Sequence, residues 1–377
     1  MNTTTRYVLL VIFIIIGLHS ILSFTHEDYG RATSISNIAG KIPWSAPPPV
    51  VEKPWVPPVS NHTGRANATL LMLARNSDTE GALRSVRELE DRFNHKYQYP
   101  WVFLNEEPFS DDFKTRISNV VSGQIIFEQI PRDHWYQPDS IDEEKAKAGR
   151  EKMVQDNIIY GGVVSYRNMC RFNSGFFYRH PVLQQFRWYW RVDFRPDVHF
   201  HCDVNYDPFV YMEENDKTYS FTITMYEYHA TIPTLWDTVK KFTSENPQYV
   251  ESNNAMGYMS DDGGNSYNLC HFWSNFEIAD MNFWRGEAYS KYFDYLDATG
   301  GFYYERWGDA PVHSIAAALF LRKDQIHFFN DIGYEHNPYT HCPRGDDVWA
   351  QNKCACDKGR NFDYDGYSCM RQWDRIQ

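Results

Sequence analysis

Glu277 lies within "FWSNFEIADMNFW", where a carboxylate among large apolar side chains must be paired, protonated or functional. Functional is the sharper reading. Asp309 follows Gly308 and precedes Ala310-Pro311 and an apolar helical run, so it suits a helix N-cap and a site at once. Two such acids raise the reading of a hydrolase with paired carboxylates, although nothing else in the chain speaks for it. Glu305 in "YYERWGD" and Glu287 in "RGEAY" read instead as structural partners of arginines. Residues 188–209, "WYWRVDFRPDVHFHCDVNYDPF", place Arg191, Asp193 and Asp197 around a Pro-Asp step. That stretch is either an aromatic core strand ending in a polar turn or a site for a metal and a charged ligand. Arg75, Asn76 and Ser77 stand where a first strand hands over to a first helix, where an arginine and free helix amides suit a diphosphate. The same position suits Ser77 or Asp78 as an N-cap with Arg75 on the surface. His336 in "GYEHNPYTHCP" reads, on its own, as a loop histidine bonded to Glu335 or to backbone.

The elements that must position these residues alternate. "ATLLMLAR" (68–75) is a buried-strand run, and 76–97 carries Leu83, Val86, Leu89 and Phe93 at helical spacing. "WVFLNEEPF", "DDFKTRISNVV" and "GQIIFEQI" continue strand, helix, strand. The pattern predicts parallel strands with crossover helices, and ligands beyond the strands' carboxyl ends. "SIDEEKAKAGREKMVQDN" (140–157) predicts a polar helix opened by a Ser140–Glu143 capping box.

The chain ends bear on compartment. Val8 to Phe24 is apolar apart from His19, Ser20 and Ser23, and at about 1.5 Å per residue it just spans a thin bilayer. No good small-residue cleavage site follows, which favours a retained anchor over the alternative of a cleaved signal peptide, and Arg6 precedes the run while Glu27 and Asp28 follow it. The expected order is a cytosolic tail (1–7), a signal-anchor (8–24), a Pro-rich stem (25–66) and a lumenal catalytic domain (67–377). Sequons at Asn61 and Asn67 agree with a lumen. The seven cysteines predict disulfides with at least one free thiol there, ahead of a zinc site from Cys342, Cys354, Cys356 and Cys369. A net charge of −12 argues against nucleic acid as a partner. Aromatic content of 17% fits a sugar-binding cleft and a large core equally well.

"SYRNMCRFNSGFFYRHP", "YWRVD", "HCDVNYDPF", "NLCHFWSNFEIADMNFWRGEAYSKYFDYLDATGGFYYERWGDAPVHSIAAALF" and "GYEHNPYTHCP" together resemble the fungal Golgi alpha-1,2-mannosyltransferases, from about Ala68 to Met370. The resemblance implies a single α/β domain of the nucleotide-sugar transferase (GT-A-like) type, with a mixed central sheet flanked by helices. It implies a GDP-mannose donor, Mn2+, a mannosylated O- or N-linked glycan as acceptor, retention of the alpha configuration, and a type II protein of the Golgi membrane. By match to the family's motifs, His336 and an acid after Arg191-Val192 would hold the manganese, and Tyr166 would lie at the donor sugar. Glu277 would be the carboxylate at the reacting carbon. Asp309 would contact acceptor or donor sugar, Arg191 would bind the acceptor, and Arg75 would face the nucleotide. Glu277 either attacks the anomeric carbon or stabilises positive charge there while the departing phosphate takes the acceptor's proton.

The chain departs from the family at one motif. The family reads Arg-Val-Glu-Pro, whereas this chain reads Arg191-Val192-Asp193-Phe194-Arg195-Pro196-Asp197. Aligning on Arg-Val makes Asp193 the metal ligand, because the strand fixes its exit point; aligning on Pro leaves Asp197 as the nearest acid. The altered motif keeps open a second expectation, a catalytically idle subunit of the same fold that binds mannan or another Golgi enzyme.

Overall fold

The parallel core of the sheet follows from the alternation of its first third. A computed structural model describes residues 55–60, 64–194 and 197–377. The proposed tail, anchor and most of the stem lie outside that range, as do Asn61, Arg195 and Pro196. Among the described residues no helix is long and apolar enough to cross a membrane.

The strands are β1 (Ala68–Leu73), β2 (Trp101–Asn105), β3 (Ile125–Gln129), β4 (Trp188–Val192), β5 (Val198–Phe200), β6 (Tyr219–Phe221), β7 (Thr224–Tyr226), β8 (Cys270–Phe272), β9 (Phe276–Asp280), β10 (Ile326–Phe328), β11 (Tyr334–His336) and β12 (Tyr339–His341). The longer helices are α1 (Thr79–Leu89), α2 (Asp111–Ser118), α3 (Glu143–Gln155), α4 (Val164–Gly175), α5 (Pro208–Glu214), α6 (Leu235–Glu245), α7 (Glu287–Ala298) and α8 (Asp309–Phe320). Seven strands form one sheet in the order β10-β6-β9-β4-β1-β2-β3. β1 pairs in parallel with β2 and β4, and β2 with β3, as helical crossover connections allow. β9 runs antiparallel between β4 and β6, which makes the sheet mixed. β5, β11 and β12 form a second, antiparallel sheet.

Side chains alternate across the large sheet, and each face has its own apolar layer. Leu70, Met72, Trp101, Phe103, Trp188, Trp190, Phe276 and Ile278 pack on one face. Leu71, Val102, Leu104, Tyr189, Tyr219 and Ala279 pack on the other, against α4, α7 and α8. By the same alternation Arg191 and Glu277 belong to this second face, where they form a cross-strand pair.

Several sequence expectations change in detail. The cap of α3 is Asp142, whose carboxylate accepts from the Lys145 amide at 3.1 Å. Ser140 lies outside the helix, because Asp142 stands three residues before an amide that needs an acceptor. The cysteines pair as Cys202–Cys354, Cys270–Cys369 and Cys342–Cys356, leaving Cys170 buried as a thiol. The end of the Pro-rich segment already lies on the domain. The Trp55 amide donates to Asp347 at 2.5 Å, and the Ala66 amide to the Tyr99 hydroxyl at 2.9 Å. Asn67 is exposed, and its amide side chain donates to the Gln185 carbonyl at 2.9 Å.

Candidate active site

Glu277 is fully buried, and three hydrogen bonds hold its carboxylate. Because β9 lies between β4 and β6, tyrosines from both neighbours close on it. The Tyr189 hydroxyl donates to Oε2 at 2.8 Å and the Tyr219 hydroxyl to Oε1 at 3.0 Å. His313 Nδ1 meets Oε1 at 2.7 Å; an ionised carboxylate only accepts, so that nitrogen carries the proton. Trp284 Nε1 donates in turn to the Tyr189 hydroxyl at 3.1 Å, and the His313 ring stacks on Trp284 with centroids 4.3 Å apart. Burial, and then the Glu277 charge, push both tyrosine hydroxyls well above their usual range, so they remain donors.

The second half of the cluster comes from α8. Asp309 and His313 are four residues apart, so they share one helix face. Asp309 meets Arg191 and His313 meets Glu277, which makes two facing pairs out of one strand couple and one helix face. Arg191 Nη1 donates to Asp309 Oδ2 at 2.5 Å, and the Ser274 hydroxyl donates to the same oxygen at 2.7 Å. Burial raises the Asp309 carboxyl, but Arg191 first, then His313 and Ser274, outweigh it and hold the group below the usual carboxylate range. Burial likewise opposes the charge on Arg191, and Asp309, Asp193 and Glu277 more than offset it. The N-cap of α8 is Gly308, so Asp309 is the first helical residue; its carboxylate bonds Arg191 and Ser274 and caps no amide of the helix. Tyr189, Arg191, Glu277 and His313 line a cavity of ≈ 20 Å³ together with Asn173 and the ends of β1 and β2.

The β8–β9 turn joins this cluster to His336. Ser274 touches Asp309, while the adjacent Trp273 stands edge-on to the His336 ring at 4.6 Å. His336 is buried at the end of β11, opposite Val198 of β5. Its neighbour Glu335 points the other way, to His201 Nε2 at 2.8 Å. Asp193 directly follows β4. Its Oδ2 lies 3.9 Å from Arg191 Nη2, and its charge reaches Tyr334, which shares a face of β11 with His336. Asp197 turns outward, with its carboxylate on exposed Arg84 at 3.4 Å. The structure thus brings Glu277, Asp309 and Asp193 around Arg191, sets His336 beyond the Trp273 ring, and leaves Asp197 on the surface.

The sequence profile described as "Glycolipid 2-alpha-mannosyltransferase" matches residues 49–377. The chain is 56% identical over 309 residues to glycolipid 2-alpha-mannosyltransferase 2 of Candida albicans, covering 82% of this chain and 67% of that protein. It is 53% identical over 316 residues to the alpha-1,2 mannosyltransferase KTR1 of Saccharomyces cerevisiae, covering 84% and 80%. The chain belongs to the glycolipid 2-alpha-mannosyltransferase family. Among solved structures, it is similar to core-mannan synthase A of Aspergillus fumigatus in its Mn/GDP form, at 42% identity and a TM-score of 0.78, covering 85% of this chain and 87% of that one. It is also similar to the S. cerevisiae mannosyltransferase Ktr4p in complex with GDP, at 41% identity and a TM-score of 0.80, covering 86% and 87%.

Does this glycolipid 2-alpha-mannosyltransferase family member offer donors that suit such a metal? Among its described residues no three side chains of His, Cys, Asp or Glu gather closely enough to hold an ion alone. One imidazole, His336, and one carboxylate, Asp193, are a mixed nitrogen and oxygen pair suited to a borderline-hard ion such as Mn2+, whose other ligands would be phosphate oxygens and water. The residues present therefore fit the group.

The remaining expected residues of this family member sit at the rim. Arg75 Nε pairs with Glu106 Oε1 at 2.7 Å, just beyond the ends of β1 and β2. Asn76 ties the β2–α2 loop, donating to the Pro108 carbonyl at 3.0 Å and accepting from the Ser110 amide at 2.9 Å. The Ser77 hydroxyl donates to Asp78 at 3.2 Å. Tyr166, on α4, lies half-buried between the stacked ring of Tyr160 at 4.7 Å and the Arg306 guanidinium at 5.0 Å. The carboxylates of Glu305 and Glu287 do not pair with arginines, although Arg167 Nε donates to the Glu305 backbone carbonyl at 3.0 Å. The Glu305 carboxylate accepts from Thr234 and Trp307, and that of Glu287 from Lys291 and Tyr249.

Sequence reasoning missed Tyr189, Tyr219 and His313, the three partners of Glu277, and His313 is the one whose ring positions it from α8. Its signal in the sequence was a titratable side chain inside the otherwise mostly apolar run of α8. His313→Ala is expected to lower kcat about 10- to 100-fold with donor KM little changed, and to cost about 2–4 kcal/mol of stability through a cavity and an unanswered carboxylate. His313→Gln, which can still donate to Oε1, should recover part of the rate; equal losses in both variants would show a packing role alone.

Proposed function

We propose that this protein is a retaining alpha-1,2-mannosyltransferase that moves mannose from GDP-mannose to a mannose hydroxyl of an O- or N-linked glycan, as a type II protein of the Golgi membrane. The observation that carries the reading is the buried pairing of Glu277–His313 with Arg191–Asp309, joined through Trp273-Ser274 to His336. Three disulfides and the apolar segment 8–24 support the lumenal placement.

Departure of a diphosphate from a sugar concentrates negative charge on the leaving group and positive charge on the anomeric carbon. His336 and Asp193 would hold Mn2+, which when bound supplies a Lewis acid to the diphosphate oxygens. Arg75, Asn76 and Ser77, at the carboxyl edge of β1, would meet the nucleotide, and Tyr166 the donor sugar. Glu277 faces the developing cation. Three donors to its carboxylate fix it in place and lower its readiness to form a covalent bond, so we assign it to electrostatic stabilisation, with the acceptor's proton passing to the departing phosphate on the same face. Asp309, locked in place by Arg191 and Ser274, orients Arg191 toward the acceptor.

The test is a donor and acceptor screen of the full chain with GDP-mannose, methyl α-mannoside and Mn2+, followed by linkage analysis of the product. Binding of GDP without transfer to any mannoside would instead support an idle subunit. Asp193→Ala is expected to raise the Mn2+ concentration for half-maximal rate about 10- to 100-fold, while Asp197→Ala leaves it within about twofold, because an exposed ion pair with Arg84 is worth little. The opposite result would place the ligand after the two-residue insertion.

A further inference from the structure

We propose that Trp273, Tyr339, Tyr367 and Tyr228 form an extended platform for the outer sugars of an oligomannose acceptor, beyond the residue that receives mannose. The proposal rests on the transferase reading for what sits at the inner end, but its geometry is independent. Trp273 meets His336, and from it the rings continue to Tyr339 at 5.7 Å, Tyr367 at 6.3 Å and Tyr228 at 6.1 Å. The first three are half-buried, and Tyr228 is 55% exposed. The row therefore runs from the candidate site out to solvent.

The platform is built rigidly. Phe362 backs Tyr339 with centroids 4.1 Å apart. The segment carrying Tyr367 is held by the Cys270–Cys369 disulfide and by backbone bonds from Cys369 to Thr224 and from Tyr226 to Tyr367, each 3.2 Å. Such a surface loses little freedom on binding. Its chemistry selects a neutral, hydroxylated partner. Ring faces suit the C–H faces of pyranoses, and phenol edges suit sugar hydroxyls. Acidic side chains, Asp365 acting on Tyr339 and Glu227 on Tyr367, disfavour an anionic ligand.

Calorimetry of the full chain in detergent, without donor, with methyl α-mannoside and with α-1,2-linked mannotriose and mannotetraose tests this. The tetrasaccharide is expected to bind about tenfold more tightly than the monosaccharide, and Tyr228→Ala or Tyr367→Leu to remove about three- to tenfold of that without altering the monosaccharide. Equal affinity for short and long mannosides, or unchanged tetrasaccharide binding in both variants, would overturn the proposal. Length-dependent binding in a protein that transfers no mannose would uphold the platform and refute the transferase reading alone.

Discussion

Glu277→Gln is expected to lower kcat about 10²- to 10³-fold while leaving GDP affinity within about twofold. The substitution keeps the side chain's volume and one oxygen acceptor, which can retain Tyr219 and His313. The new amide faces the Tyr189 hydroxyl, which can turn to accept it. The fold therefore survives, and what disappears is a full negative charge in a dry site, the kind of loss that costs a few kcal/mol of transition-state stabilisation. Glu277→Ala is a harsher change, leaving a cavity and three unanswered donors, and is expected to cost about 3–5 kcal/mol of stability. Mass spectrometry of wild-type enzyme quenched during turnover should find no mannosyl group on the peptide containing Glu277. A mannosylated Glu277 would establish it as the nucleophile and reverse the assignment made from its three hydrogen bonds.

How far such a site can be read from sequence depends on which interactions are local. The order β1-α1-β2-α2-β3 was legible because each element carries its own periodicity and the crossovers are short. Glu277 and Asp309 stood out as acids in apolar surroundings, whose burial had to be answered by something. What answers them was hidden. Tyr189, Tyr219 and His313 look like core residues, and they become partners of Glu277 only through the pairing of β9 with β4 and β6, nearly ninety and sixty residues away in the chain. The strands β6, β8, β10, β11 and β12 are three residues long and carry too few positions to show a period. The Cys202–Cys354 disulfide spans 152 residues, so the sequence could indicate disulfides and a free thiol without naming the pairs. The surroundings of Asp193 and Asp197 depended on where a strand ends: β4 stops at Val192, so Asp193 lies beside Arg191, while Asp197 lies against exposed Arg84.

Arg191→Met is expected to be the most destabilising single change in this cluster, about 4–5 kcal/mol, and worse than Asp309→Asn at about 2–3 kcal/mol. The asymmetry follows from the charges present. Arg191 is the cation facing Asp309, Asp193 and Glu277, so removing it leaves three acids together, whereas losing the Asp309 charge leaves Arg191 with two. The two variants should also differ in pH dependence. In the wild type Asp309 is held below the usual carboxylate range, so its contribution is fully present above its unfolded value near pH 4 and is lost only as pH falls through the lower folded value. Between pH 7 and 5 that contribution is flat. Without Arg191 the burial that already opposes the charge is no longer outweighed, and the carboxyl rises above its unfolded value. The native state then binds protons that the unfolded chain does not, so acidification stabilises the variant. The gap in urea midpoint between Arg191→Met and wild type should narrow as pH falls from 7 to 5, while the gap for Asp309→Asn, which cannot titrate, stays constant. A gap for Arg191→Met that is independent of pH would mean that His313 and Ser274 suffice to hold Asp309 ionised without its arginine.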